Sequence, residues 1–281
     1  MFSNGLMLGA TGGLSGFDIA VPPLGSLGVP DVAAGGLHPG NYRYHLTRVR
    51  LSDGAESPAV SSQPLAVTGG FRVAGLEQRD GHAVNVYLSG LDGEGAYLAG
   101  STQTDVFEYG GDNTSLVLPC RTLGAVELPV GKWLAYWRGR LLTAVGSTLW
   151  ASRPSAPHLC DWRDFKPFDS EITAILPTSG GVFVGTRNDL IYLGGTTFDQ
   201  LAYVPTELGG VTPGSGVAAP GERLRAGDGV GSGDAAVCIA GGWVVACLPS
   251  GQAVKMTSDR YRCDAKEVSA TFREVNGVPQ Y

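Results

Sequence analysis

WLAYW at residues 133–137, RLLTAV at 140–145 and TLWAS at 148–152 are three apolar runs joined by turns that contain glycine. The same order returns as ITAIL, VFVGT and LIYL within residues 172–193, and as AAVCIA, WVVACL and QAVKM within residues 235–256. Each copy predicts three strands, because the tight turns between them need residues that tolerate positive φ. Repeats of about 40 residues with three or four strands are typical of β-propeller blades. The alternative is a generic β-sandwich or meander with similar hairpins.

The segment before the repeats has a different strand pattern. YRYHLTRVR at residues 42–50 alternates between apolar and polar side chains, which predicts a half-buried strand. A Ser-Asp-Gly turn follows at residues 52–54 and a Glu-Ser-Pro triplet at 56–58. This hairpin resembles the last two strands of a fibronectin type III domain. The resemblance implies that the aromatic residue near the strand start acts as the corner residue of a β-sandwich.

The chain is predicted to be all-β in three regions, because no stretch of ten or more residues shows helical periodicity. Residues 1–35 are N-terminal strands and a Gly/Pro-rich linker. They either close the propeller by adding strands to its last blade, or the propeller is partial. Residues 36–125 are expected to form fibronectin III-like β-sandwich segments. Residues 126–281 are expected to form propeller-like blades with a loop insert at 205–233, ending in an Asn-Gly hairpin at 268–281 that closes a sheet.

Composition excludes several classes of protein. The 281 residues include 43 glycines and 17 prolines, yet 43% are hydrophobic, which excludes a disordered chain. Only 16% are charged, so either other subunits cover much of the surface or the chain is a charge-poor, glycine-rich β protein. The net charge of −6 and the lack of Lys/Arg runs argue against binding of duplex nucleic acid. No apolar run reaches membrane-spanning length, so we expect no membrane span. Residues 1–20 lack a basic segment, so we expect no secretory signal.

The chemistry-bearing residues form no convincing site. Five cysteines without a Cys-x-x-Cys spacing predict no disulfide framework, and Cys238 and Cys247 are predicted to be core residues. His158, Cys160 and Asp161 could form one corner of a zinc site, but a second ligand pair is missing. We therefore expect no metal and no cofactor.

The protein is not expected to be an enzyme. Gly-Ser-Gly triplets at residues 214–216 and 231–233 lack the strand and helix that a nucleophile elbow requires. Short pairs of carboxylates are usually solvated loop charges, and sequence spacing does not place them around a scissile bond. Two such pairs occur here, Asp161 with Asp164 and Asp169 with Glu171.

An aromatic loop follows the first repeat. Residues 153–168 are rich in proline and contain Trp162, Phe165 and Phe168. We favour a plug that packs across blades. The alternative is a surface interaction loop that binds carbohydrate, because tryptophan beside carboxylates suits the faces of sugars.

The repeats and the tail together resemble a known group. Residues 133–195, 242–261 and 271–277 (TFREVNG) are similar to bacteriophage tail proteins, in particular to the β-propeller hub or nozzle proteins of podoviruses. These proteins extend the short tail below the portal and adaptor rings, and they combine propellers with fibronectin-like or other β-sandwich inserts. The resemblance covers roughly residues 36–281. Complete nozzle proteins are usually longer and have more blades than the three counted here.

The resemblance implies a structural protein of the virion, made in the cytoplasm of the bacterial host. Such a protein is a ring subunit of the tail nozzle around the DNA-ejection channel. Its expected partners are further copies in a cyclic, sixfold homo-oligomer, other tail proteins such as the adaptor and fibres, and DNA only in passage. The alternative is a peripheral tail protein that binds a host surface glycan or anchors tail fibres.

Overall fold

The protein is all-β, as predicted. The computed structural model describes residues 8–9, 17–18, 21–226, 229–230, 232–257, 260–276 and 278–281. About 51% of the chain lies in strands, and the strands form several small antiparallel sheets. Within the described residues no sheet closes into a barrel, and the helical content is two three-residue turns of 3-10 helix.

The strands are numbered in chain order. The first ten are β1 (Leu8–Gly9), β2 (Phe17–Asp18), β3 (Val29–Tyr42), β4 (Tyr44–Arg50), β5 (Val60–Ser61), β6 (Leu65–Ala74), β7 (His82–Ser89), β8 (Ala96–Thr102), β9 (Val106–Tyr109) and β10 (Ala125–Glu127). The next nine are β11 (Lys132–Trp137), β12 (Arg140–Val145), β13 (Thr148–Ala151), β14 (Leu159–Asp161), β15 (Phe165–Pro167), β16 (Ile172–Pro177), β17 (Gly181–Thr186), β18 (Leu190–Gly194) and β19 (Ala202–Pro205). The last eight are β20 (Val217–Pro220), β21 (Arg225–Ala226), β22 (Gly229–Val230), β23 (Asp234–Ala240), β24 (Trp243–Cys247), β25 (Ala253–Lys255), β26 (Arg273–Val275) and β27 (Val278–Gln280). The 3-10 turns are Asn113–Ser115 and Gly221–Arg223.

Two compact units divide the chain. The first, here called the three-sheet unit, comprises Met1–Asp18, Leu128–Pro157 and Arg163–Tyr281. The second, called the two-sheet unit, comprises Ile19–Glu127 and His158–Trp162.

The two-sheet unit has one core between its two larger sheets, β3-β6-β9 and β5-β4-β7-β8. Tyr44 and Leu46 of β4 pack with Phe71 and Val73 of β6 and with Val86 of β7. The Tyr44 and Phe71 rings lie 5.1 Å apart between centroids. Both sheets therefore bury one apolar face against the other.

The prediction of a half-buried strand at residues 42–50 is wrong, because β4 is buried on both faces over Tyr44–Arg48. Residues 56–61 cover the face that was predicted to be exposed. The imidazole Nδ1 of His45 lies 2.8 Å from Ser61 Oγ, and the Thr47 hydroxyl donates to the Glu56 carboxylate. These hydrogen bonds to the covering segment offset part of the cost of burying the His45 and Thr47 side chains.

The three-sheet unit contains the repeats. Its three larger sheets are β11-β12-β13-β15, β16-β17-β18-β19 and β20-β23-β24-β25, each with four antiparallel strands. All nine predicted strands occur with their ends within one residue of the prediction. The turn glycines adopt positive φ as expected, for example Gly139 at 81° and Gly242 at 84°. We call the three sheets the first, second and third sheet.

The three sheets pack face to face. Leu142 and Leu149 of the first sheet share a core with Val182 and Leu193 of the second. On the opposite face of the second sheet, Phe183 shares a core with Cys238 and Val245 of the third. Every residue of β17 is buried as a result. The strands that begin the sheets are also neighbours, β11 beside β16 and β16 beside β20.

Three finer predictions for the three-sheet unit need correction. Residues 205–233 are not only a loop, because Val217–Pro220 pairs with β23 and supplies a fourth strand to the third sheet. The tail does not close that sheet, because β26 and β27 pair with each other. Within the described N-terminal residues, β1 and β2 likewise pair only with each other and add no strand to the third sheet. The rest of residues 1–20 lies outside the described residues.

Candidate functional site

One face of the first sheet carries large apolar side chains that are open to solvent. Tyr136 is 67% exposed and Phe165 40%, Val145 is also exposed, and Trp150 is half-buried. Trp150 pairs directly with Phe165 across the strands, and their ring centroids lie 5.2 Å apart. We call these four residues the aromatic face.

Strand alternation explains why these residues lie together. Successive side chains of a strand point to opposite sides of the sheet. Trp137, Ala144 and Leu149 are neighbours in sequence of the aromatic-face residues, and they belong to the core shared with the second sheet. Tyr136, Val145 and Trp150 therefore point away from that core. Leu141 and Thr143 point to the same side as their cross-strand partners Tyr136 and Trp150, but they are buried, so the exposed apolar residues flank a covered strip. Large exposed apolar side chains on one face are candidates for contact with a partner.

The outer face of the third sheet is covered instead. Val237 and Ala246 pack there beneath Leu224, which follows the second 3-10 turn, and Phe272 of the tail. Three contacts fix the covering segments. The Tyr281 hydroxyl donates to the Ser215 carbonyl at 2.6 Å, the Val268 amide donates to the Pro213 carbonyl at 3.0 Å, and Arg223 pairs with Glu274 at 3.0 Å.

The predicted aromatic loop is divided by the structure. Phe168 is buried in the core of the first and second sheets, and its ring lies 5.4 Å from that of Tyr203 in an edge-on contact. Phe168 is therefore not a surface residue, although the interaction-loop alternative required it to be one. Phe165 belongs to the aromatic face of the three-sheet unit. Trp162 belongs to the two-sheet unit and is 58% exposed.

His158 and Cys160, which the sequence suggested as possible zinc ligands, contact backbone carbonyl groups instead. The His158 Nε2–H donates to the Glu56 carbonyl at 2.9 Å, and Cys160 Sγ lies 3.6 Å from the Glu127 carbonyl. Burial lowers the pKa of His158 below its usual value. Among the described residues, no group of three His, Cys, Asp or Glu side chains is placed to hold a metal ion. The predicted burial of Cys238 and Cys247 is confirmed.

The serine and carboxylate candidates are also held by structural contacts. Ser215 is fully buried, donates its hydroxyl to the Thr212 carbonyl at 2.6 Å and accepts the Ile239 amide at 3.1 Å. It therefore lacks the exposure of a nucleophile. Gly231 of the second triplet lies outside the described residues. Asp164 is paired with Arg140, and Glu171 with Arg187.

No protein-family model matches this chain, and a search of curated proteins finds no match. A search of the described helices finds none that is long and apolar enough to cross a membrane.

Proposed function

We propose that this protein is a structural subunit of a bacteriophage tail, assembled as a ring around the DNA-ejection channel. The observation that carries the proposal is the aromatic face, where Tyr136, Val145 and Phe165 are exposed on a chain with only 16% charged residues. Apolar side chains of this size gain free energy when a neighbouring subunit covers them. The tail assignment rests on the resemblance of residues 133–195 and 271–277 to nozzle proteins.

The arrangement of the sheets supports propeller-like blades. The three larger sheets are four-stranded, stack face to face and have adjacent first strands, as blades around an axis do. Propellers typically have four to eight blades. Three blades form a partial propeller, which leaves a first sheet without a preceding neighbour. The aromatic face is the face that such a neighbour covers.

The two-sheet unit supports a fibronectin III-like reading of residues 36–125. Its two larger sheets contain three and four strands, which are the numbers found in the two sheets of a constant-type immunoglobulin sandwich. The Tyr42 hydroxyl donates to the carbonyl of His38, four residues upstream, at 2.9 Å. Tyr42 ends β3 and precedes β4 by two residues, and a tyrosine between two strands that binds the backbone a few residues upstream resembles the corner contact of these sandwiches.

The ring interface is expected to be heterologous, with the aromatic face of one subunit packed against a different surface of the next. It should bury more than about 1,000 Å². The channel wall should be neutral or acidic, in line with the net charge of −6, because basic walls hold DNA through counterion release.

An image of the assembled particle tests the proposal. We expect a cyclic ring of this chain below the portal, and we expect the mass of the protein released from particles to be a multiple of the subunit mass. A lone monomer at the particle periphery, or a basic inner wall with salt-sensitive affinity for DNA, contradicts the proposal.

A peripheral protein that binds host glycans or anchors fibres is the second candidate. The observation in its favour is the high exposure of Trp162. Such a protein should bind sugars in a glycan screen and should lie outside the central ring in the same image.

A further inference from the structure

A groove of about 630 Å³ opens within the three-sheet unit, where the first strands of the first and second sheets begin. This volume falls within the range of about 300–1,000 Å³ that is usual for small-molecule sites. The lining residues used below are Gly131, Lys132, Trp133, Glu171, Ile172 and Glu267.

The indole of Trp133 is held in place in this groove. Its Nε1–H donates to the Ile172 carbonyl at 2.9 Å, which ties β11 to β16. Trp133 has a φ of 57°, and it lies in a β-bulge where the register of β11 against β12 shifts. Bulges re-aim side chains, and positive φ is uncommon for a large residue such as tryptophan. The ring is partly buried against the core of the first and second sheets, and the part that remains exposed in the groove is a preorganised stacking surface.

Close backbone approach shapes the same wall. A Cβ atom on Gly131 would lie 2.4 Å from the Ala144 carbonyl oxygen, so only glycine fits at this position without a shift. The backbone just before Trp133 is thereby held against the end of β12. The groove is built by fixed elements on this side.

The charges in and beside the groove balance. Arg187 donates to the Glu171 carboxylate from Nε at 2.7 Å, and its amide donates to the Glu171 carbonyl at 2.9 Å. Glu171 is therefore fixed at the rim. Glu267 and Lys132 are exposed. The two carboxylates and the two cations add up to no net charge, which favours a neutral ligand over an ionic one.

We infer that this groove binds a neutral saccharide. The indole of Trp133 can cover the apolar C–H face of a sugar ring, while carboxylates of Glu171 and Glu267 accept hydrogen bonds from its hydroxyls. The Lys132 ammonium donates to hydroxyl or ring oxygens. This site is separate from Trp162. Val145 belongs both to the lining of the groove and to the aromatic face, so the groove is tested on the isolated chain.

The test uses the full chain and neutral trisaccharides. Maltotriose, cellotriose and triacetylchitotriose are titrated by calorimetry and by saturation-transfer NMR, with spermidine and sialyllactose as charged probes. We expect at least one neutral sugar to bind saturably, with a Kd near or below about 1 mM. Glu267→Ala should weaken that binding about tenfold, because a charge-assisted hydrogen bond is lost. Glu207→Ala is the matched control, since Glu207 is an exposed glutamate of the same unit outside the groove, and it should not alter binding.

Two further variants keep the test decisive. Lys132→Ala removes an exposed side chain, so it should fold normally and weaken the same sugar. Trp133→Phe keeps a ring but loses the bond to Ile172, and its fold is checked by circular dichroism before titration. The inference is overturned if no neutral sugar binds up to about 10 mM. It is equally overturned if Glu267→Ala and Lys132→Ala leave binding unchanged, or if spermidine or sialyllactose binds more tightly than every neutral sugar.

Discussion

The first and third sheets of the three-sheet unit have the same four-stranded antiparallel build, but their outer faces differ. Leu224 and Phe272 cover the outer face of the third sheet. On the aromatic face of the first sheet, Tyr136 is 67% exposed and Phe165 is 40% exposed. In stacked repeats, a terminal repeat needs either a cap or a partner, because each unit buries its faces only against neighbours. The outer face of the third sheet is therefore covered within the chain, whereas that of the first sheet is covered only in part, with Leu141 and Thr143 buried.

The largest expected effect lies between the two ends, in the second sheet. Phe183 is fully buried, and its ring lies 4.7 Å from that of Tyr192. Phe183→Ala should lower the free energy of unfolding by about 3–5 kcal/mol, because it removes a large side chain from a core that cannot collapse completely. Chemical denaturation followed by tryptophan fluorescence measures the change. A loss below about 1 kcal/mol would show that the stacking of the sheets contributes little.

Phe272 and the tail that carries it, here called the cap, cover the outer face of the third sheet. Removing the cap should expose apolar side chains on that face. Phe272 is partly buried against the outer face, so Phe272→Ala should cost about 1–2 kcal/mol. Deletion of residues 268–281 also removes the contacts of Val268 and Tyr281, and it should give insoluble protein or strong binding of a hydrophobic dye. Val275 of the same tail is exposed, so Val275→Ala serves as the control with little effect. A soluble deletion variant with a normal melting temperature argues that the tail is not a cap.

Acidification should destabilise the two-sheet unit through its buried histidines and so distinguish it from the three-sheet unit. All four histidines lie in the two-sheet unit, and burial lowers the pKa of His45 and His158, with a smaller contribution from Arg43 at His45. The unfolded chain therefore binds more protons than the folded unit as the pH falls through about 6.5, where free histidine titrates. The contribution of these histidines to the free energy of unfolding is therefore fully present above that pH and declines below it. Denaturant unfolding at pH 7 and pH 5.5 should show the decline, and His158→Gln should reduce it; an unchanged slope in the variant contradicts the assignment.

Polar substitutions on the aromatic face should separate assembly from stability. The double change Tyr136→Ser and Phe165→Ser should lower the unfolding free energy of the isolated chain by about 1–2 kcal/mol, mostly at Phe165, whose ring packs on Trp150, and should leave the chain folded. It should nevertheless prevent ring formation, measured by light scattering or by incorporation into particles. Tyr261→Ser, at another exposed tyrosine of the same unit, is the control and should assemble normally. Normal assembly of the double variant removes the aromatic face from the interface.

The smallest expected effect is that of a chelator. His158 and Cys160 use their polar atoms for backbone hydrogen bonds, so addition of EDTA should leave the melting temperature unchanged. A shift of several degrees would mean that these residues bind a metal after all.

The sequence predicts the strands of the repeats because alternation and turn chemistry are local. Residues 133–256 contain long apolar runs separated by glycine, and only a few turn geometries connect such strands. The sequence does not predict which aromatic residues of the candidate site are exposed. Trp162, Phe165 and Phe168 are close in the chain, yet Phe168 is buried and Trp162 belongs to the other unit. Proximity in sequence does not show which face of a sheet a side chain occupies.

The sequence by itself determined the all-β class, the nine repeat strands and the burial of Cys238 and Cys247, since each follows from local periodicity. The tertiary structure decided which faces are covered. It alone shows that residues 56–61 bury the second face of β4, that Val217–Pro220 joins the third sheet, and that the tail pairs with itself. Coverage of a face depends on segments distant in the chain, and the energy of those contacts is not expressed in the local pattern of either partner.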